Sequence, residues 1–283
     1  MGADLSGTRV LVVGASTGIG RHVGIEAARA GADVAFSARS ADKLASAVAE
    51  VAAIDGGRGV VVAGDLREPG DPARIVDEAI AVLGGLDLLV LSSGISPLMR
   101  LEDTPDEVIA NVFATNAIGA LKLMTHAAQQ VDETAVLAYI SSSSVGNPYP
   151  GMVHYAASKA ALDQGVDGLR TEYPDIRFTR VSVGPTAGTA IALEYDPEVA
   201  ARIVPEQLRY GRVTEKFMTA PELGLVIVEM LAPLVHHPSI EALNLEFMPP
   251  GGPIPWGADI FAVSETNKAF TDPEAAEQSA DAE

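Results

Sequence analysis

The chain has 283 residues, 48% hydrophobic and 20% charged, enough for one large α/β domain with a substantial core. Asp and Glu (38) outnumber Lys and Arg (19), and the net charge of −19 would repel nucleic acid and anionic membranes, so neither is expected as a partner. The absence of cysteine excludes disulfides, thiolate nucleophiles and cysteine-held metals, and the five His show no ligand spacing, so no metal is expected.

In chain order, the start Met1-Gly2-Ala3-Asp4 lacks the basic region of a signal peptide, and no stretch approaches 18 uncharged apolar residues. Gly2 with Ser6 formally fits a myristoylation pattern, but two fixed residues carry little information. A cytoplasmic protein is expected. Short apolar runs at 10–13, 34–36, 60–63, 86–91, 135–140, 178–183 and 243–247 read as strands. They are continuous rather than alternating, as in strands covered on both faces. Helical patterns at 18–30, 40–54, 71–83, 104–131, 153–171 and 220–232 fall between them, two opening on Asp71-Pro72 and Ala220-Pro221-Glu222. Repeated strand–helix–strand units imply an α/β fold: a doubly wound parallel sheet of about seven strands, helices on both faces, in a single domain.

The first strand runs into Gly14-Ala15-Ser16-Thr17-Gly18-Ile19-Gly20 and then an Ala-rich helix. This is the layout of a dinucleotide site of the Rossmann kind, with a tight turn, a backbone that can approach the pyrophosphate, and helix N–H groups facing the phosphates. After the second strand, the place where an acid would bind the ribose 2′-OH holds Ala38, followed by Arg39 and Ser40. Arg39 suits a 2′-phosphate through a charge-assisted fork, so NADP(H) is favoured over NAD(H). Gly64-Asp65-Leu66 follows the third strand, and Asp65 is placed to meet the adenine amino group or to cap the next turn.

Tyr155-Ala156-Ala157-Ser158-Lys159 puts Tyr155 and Lys159 one turn apart on a helix, with Ser141-Ser142-Ser143-Ser144 and Asn116 upstream. Taken in order, GASTGIG, Asp65-Leu66, Gly94, Thr115-Asn116-Ala117-Ile118-Gly119, ISSSS, YAASK and Val183-Gly184-Pro185 resemble the short-chain dehydrogenase/reductase family, in its compact single-domain branch, from about Thr8 to Gly252. The resemblance implies Tyr155 as general acid/base, Lys159 as its partner, Ser142 as the carbonyl-orienting hydroxyl and Asn116 as organiser of a water relay. Family spacing to the tyrosine selects Ser142, whereas counting back from Gly146 selects Ser143. It also implies a coenzyme bound along Gly14, Ser16, Thr17, Gly18, Ile19, Gly20, Arg39, Ser40, Asp65, Leu66, Ser93, Gly94, Tyr155, Lys159, Pro185 and Thr186. Two departures stand out: Leu91-Ser92-Ser93-Gly94 where the family shows Asn-Asn-Ala-Gly, and Pro185-Thr186 where it shows Pro-Gly.

Residues 186–215 read as a substrate lid mixing Ile191, Leu193, Val199 and Ile203 with Arg202, Arg209 and Arg212. An apolar lid fits a hydrophobic ketone or alcohol, and a helix simply packing on the body explains it equally well. His154 reads as a packing residue and His236-His237 as part of a loop. The domain is expected over 1–252, with a C-terminal extension at 253–283 whose end, from about 271, carries five acids and no base and reads as disordered. The family implies a homodimer or homotetramer through the helices at 104–131 and 153–171. The leading reading is an NADP(H)-dependent oxidoreductase acting on a small carbonyl/alcohol pair. The competing class is a catalytically silent nucleotide sensor, disfavoured because Asn116, Tyr155 and Lys159 all persist. A sugar-nucleotide epimerase would need a larger C-terminal domain.

Overall fold

The computed structural model describes residues 2–54, 57–189, 195–212, 214 and 216–251. β1 (Arg9–Val13), β2 (Asp33–Ala38), β3 (Arg58–Ala63), β4 (Leu88–Leu91), β5 (Val136–Ser142), β6 (Arg177–Val183) and, after two short strands introduced below, β9 (Asn244–Phe247) form one sheet. Its order is β3-β2-β1-β4-β5-β6-β9, and every pair is parallel. Residues alternate between two layers, which explains the unbroken apolar runs. Val10, Val12, Val34, Phe36, Val90 and Ala138 face one core, and Leu11, Val13, Ala35, Leu89, Leu91 and Leu137 face the other.

The first layer holds α1 (Gly18–Arg29), α2 (Ala41–Ala52) and α8 (Ala220–His236). The second holds α3 (Asp71–Leu83), α5 (Ala120–Gln130) and α6 (Val153–Glu172). The proline starts at Pro72 and Pro221 occur as expected, and Thr219 and Glu222 close a capping box on α8.

The helix expected over 104–131 is interrupted. Leu101–Asp103 form a 3-10 turn, Pro105 caps α4 (Asp106–Phe113), and Ala114–Gly119 widen into a π-helical turn before α5. The run Asp106–Gln130 is long and apolar enough to cross a membrane, with a best-window hydropathy of 1.3, which the sequence reading did not anticipate. In this fold its Val112, Leu123, Met124 and Ala127 are buried in the protein core. The segment expected as a lid contains α7 (Pro197–Arg209) and two short strands, β7 (Thr186–Ala187) and β8 (Met218–Thr219), which pair in parallel. His236 ends α8 and hydrogen-bonds Asp4 O at 2.7 Å, correcting the loop reading. Ile191, Leu193 and the acidic end from 271 lie outside the described residues.

The order reverses between β1 and β4, so the loops after these two strands leave in opposite directions and open a crevice at the carboxyl edge. Every candidate site segment lies at that edge or just beyond it.

Candidate active site

The glycine turn is pinned to the neighbouring strand, with Gly14 N and Ala15 N donating to Ser37 O at 2.7 and 3.0 Å. Gly14 has φ +89°, and a Cβ there would stand 2.6 Å from Ser93 N, so the β1 and β4 loops touch backbone to backbone. A Cβ on Gly20 would lie 2.4 Å from Gly14 O, so the first turn of α1 presses on the loop it leaves. Ser16, Thr17 and Gly18 are partly exposed and Ile19 is buried. Thr17 makes no side-chain cap and no acid occupies the first turn of α1, leaving a positive, donor-rich helix end. Thr189, at the start of the lid, lies over Gly18.

At the adenosine end, Arg39 is exposed, and among the described residues none accepts a hydrogen bond from its guanidinium. Ser40 Oγ caps α2, accepting from Lys43 N at 3.4 Å. Asp65 caps its own turn by accepting Arg67 N at 3.0 Å, and the Arg67 side chain also pairs with it, at 2.5 Å. That pairing holds the Asp65 carboxyl below its usual range, with a smaller contribution from Arg39. Leu66 is buried, and its carbonyl lies where a Cβ on Gly119 would fall. Thr186 Oγ1 donates to Gly184 O at 2.9 Å, so the departure after Pro185 closes its own turn. These features fit a phosphorylated dinucleotide: a cradle too tight for side chains, a helix end without acids, and an exposed cation that makes no hydrogen bond among the described residues.

α6 carries Tyr155 and Lys159 on its sheet-facing side, 8% and 3% exposed. Lys159 Nζ donates to Ile140 O at 2.9 Å and to Ser93 O at 3.4 Å, linking α6 to β5 and to the β4 loop. A Cβ on Gly94 would stand 3.3 Å from that nitrogen. Burial pulls the ammonium down to about 8 and pushes the Tyr155 phenol up to about 12, against a hydrogen bond from Ser142 that lowers it. The two serines have separate partners. Ser142 meets Tyr155, whereas Ser143 Oγ shares a 3.1 Å hydrogen bond with Tyr149.

Asn116 sits in the π-helical turn, fully buried. Its Oδ1 accepts Ile95 N at 2.9 Å, and its Nδ2 donates to Ile95 O at 2.9 Å and to Ser158 Oγ at 3.0 Å. His154 is buried against Pro97 O at 2.9 Å, a packing contact as expected.

Three residues escaped the sequence reading. Ser144 donates to Ser142 Oγ, and nothing in a run of four serines ranks its members. Tyr195 lies beside Ser96 and Tyr155, with its hydroxyl pushed up to about 12 by burial. Asp163 lies four residues beyond Lys159, a spacing visible in the sequence. α7 and the 97–103 loop bound a cleft of about 220 Å³ lined by Met99, Arg100, Val199, Arg202, Ile203 and Glu206 with Asp103, and none of Asn116, Ser142, Tyr155 and Lys159 lines it.

The reversed strand order, the glycine turn and the helix-borne Tyr–Lys pair define a nucleotide-binding protein of the Rossmann type. The chain belongs to the short-chain dehydrogenase family, whose sequence model, described as short chain dehydrogenase, matches residues 8–199. It is similar to an L-rhamnose 1-dehydrogenase (NAD(P)(+)) of Sphingomonas sp., 38% identical over 56% of this chain and 63% of that protein. It is also similar to a glucose 1-dehydrogenase of Gluconobacter oxydans, 34% identical over 68% of this chain and 75% of that one. The fold matches a crystal structure of a short chain dehydrogenase from Burkholderia cenocepacia in complex with NADP, with a TM-score of 0.74 and 28% identity, covering 86% and 97% of the two chains.

Proposed function

We propose that the protein is an NADP(H)-dependent oxidoreductase interconverting a small carbonyl compound and its alcohol, with Tyr155 as general acid/base. The observation that carries this is the burial of Tyr155 and Lys159 side by side on α6, with Lys159 tied through Ser93 O to the loop that touches the glycine turn. A coenzyme bound at that turn supplies or accepts the hydride. Tyr155 protonates the developing alkoxide, and the neutral phenol that burial enforces is the form this direction needs. Ser142 Oγ, its lone pairs taken up by Ser144, turns its proton toward Tyr155, from where it can donate to the same oxygen once substrate binds. Lys159 supplies positive charge beside the phenolate left behind.

Arg39, exposed and without a hydrogen bond among the described residues, supports NADP(H) over NAD(H), and the complexed relative was captured with NADP. Met99, Val199 and Ile203 favour a substrate with an apolar part, while Arg100, Arg202 and Glu206 offer polar contacts. A homo-oligomer is supported by Ile118 and Val153, apolar and exposed beside α5 and α6. A cytoplasmic setting accords with the charge and the cysteine-free composition. The test is NADPH oxidation with ketones of graded size by the native protein and by Tyr155→Phe. The variant is expected to bind NADPH normally and lose turnover by about a thousandfold. Near-native turnover would remove Tyr155 from the chemistry.

A further inference from the structure

α6 docks on the end of β5 at three successive levels. Tyr155 meets Ser142, Lys159 Nζ donates to Ile140 O at 2.9 Å, and Ser141 Oγ donates to Asp163 Oδ2 at 2.9 Å. Asp163 is only 6% exposed, and its Oδ1 has no hydrogen-bond partner. Arg180 on β6 approaches Oδ2 at 3.4 Å, too long for a firm hydrogen bond with the fork. Burial pushes the Asp163 carboxyl up, while Ser141, Arg180, Lys159 and Tyr139 pull it back, and a neutral residue of similar size would carry no such burial cost. The carboxylate faces Lys159 and Tyr155 from its own helix, Ser141 and Tyr139 from β5 and Arg180 from β6. Of the cations near it, Lys159 is the one buried at the active site.

We propose that Asp163 is a positioning residue of this site, a fixed negative charge one turn below Lys159 that keeps the ammonium protonated and held to the β5 carbonyl. It touches neither coenzyme nor substrate, and it acts through Lys159. The catalytic consequence rests on the oxidoreductase reading, but the link between the two side chains does not. Burial works against the charge on Lys159 and the Asp163 carboxylate works for it, so the two oppose each other at one nitrogen.

The experiment is a pH titration of 13Cε-labelled lysine in the full-length protein, with Lys159 assigned by loss of its signal in Lys159→Arg. The chain has only five lysines, which keeps the spectrum readable. Asp163→Asn keeps the shape and an acceptor for Ser141 but removes the charge. Its Lys159 midpoint is expected to fall by about one pH unit. The alkaline limb of the NADPH-dependent kcat profile is expected to move the same way, giving about a fivefold loss at pH 8 that recovers near pH 6.5. A role confined to packing would lower activity equally at all pH values and leave the midpoint in place, and that result overturns the proposal. If Asp163→Asn does not fold, Asp163→Ser gives the same readout. A shifted midpoint in a native protein that turns over no ketone would uphold the link to Lys159 while removing the oxidoreductase reading.

Discussion

Ser144 gives both of its donors to a single atom, its backbone N–H reaching Ser142 Oγ at 3.1 Å and its hydroxyl the same oxygen at 2.9 Å. Ser142 is thereby held as a donor, because its acceptor capacity is spent. Ser144→Ala removes one of the two bonds and lets the Ser142 hydroxyl rotate. We expect kcat to fall about tenfold, the worth of one hydrogen bond of about 1.4 kcal/mol, with NADPH affinity unchanged. Parallel turnover and fluorescence-binding measurements check this, and equal losses in both would point to a collapsed loop instead.

Asn116 satisfies both backbone groups of Ile95 from a fully buried position. Replacing it with leucine leaves a part-buried N–H and a part-buried C=O without their partner, at a cost of about 3 kcal/mol. Thermal unfolding without coenzyme should shift down by roughly 6–10 °C. A melting point within a degree of the native value would show that the π-helical turn relaxes to meet Ile95 in another way.

Gly20→Ala places a methyl carbon 2.4 Å from Gly14 O, a backbone atom that cannot step aside without moving the turn. The expected outcome is a folded protein, destabilised by about 1–3 kcal/mol, whose NADPH binding is lost. Calorimetric titration measures the binding, and circular dichroism controls for the fold.

Arg39→Ser should lower kcat/KM for NADPH by about tenfold or more while leaving NADH nearly unaffected, since only the former carries the 2′-phosphate that the guanidinium would meet. Equal losses with both coenzymes would assign Arg39 to the stability of its loop.

Lys159 is held down to about 8 against an ordinary 10.5, so between these values the unfolded chain binds the extra proton. The penalty for burying the ammonium is complete below pH 8, amounts to about 3 kcal/mol, and is relieved as pH rises toward 10.5. Tyr155 acts in the opposite sense: with its phenol at about 12 instead of 10, stability falls as pH rises between those values. Denaturant unfolding of the coenzyme-free protein should therefore show a rising limb from pH 8 that is missing in Lys159→Met. An identical slope in both proteins would contradict the burial argument.

The strand–helix alternation was legible because strands sandwiched between two helical layers are apolar at every position, as at Val10–Val13. The glycine turn and the Tyr155–Lys159 spacing were legible because each is local, and four residues of helix place two side chains on one side whatever the rest of the chain does. The break at Ala114–Gly119 was not, because helix propensity does not record the pull of a buried carboxamide on Ile95, 21 residues away. The Arg67–Asp65 pair and the Ser144–Ser142 bonds were also hidden, since they depend on rotamers that residue type alone leaves open.

Tyr155, Lys159 and Ser142 come from α6 and the tip of β5, while the 97–103 loop and α7 wall a separate cleft. α7 is fastened to the body at its rim by the Arg100–Glu206 ion pair and by Gln207 Nε2 donating to Pro150 O at 2.8 Å, and from beneath by the buried Ile203 and Leu208. Selectivity and chemical competence are therefore mechanically separable in this molecule. Exchanging that wall would leave α6 and β5 as they are, provided the join at Tyr195, beside Tyr155, is kept.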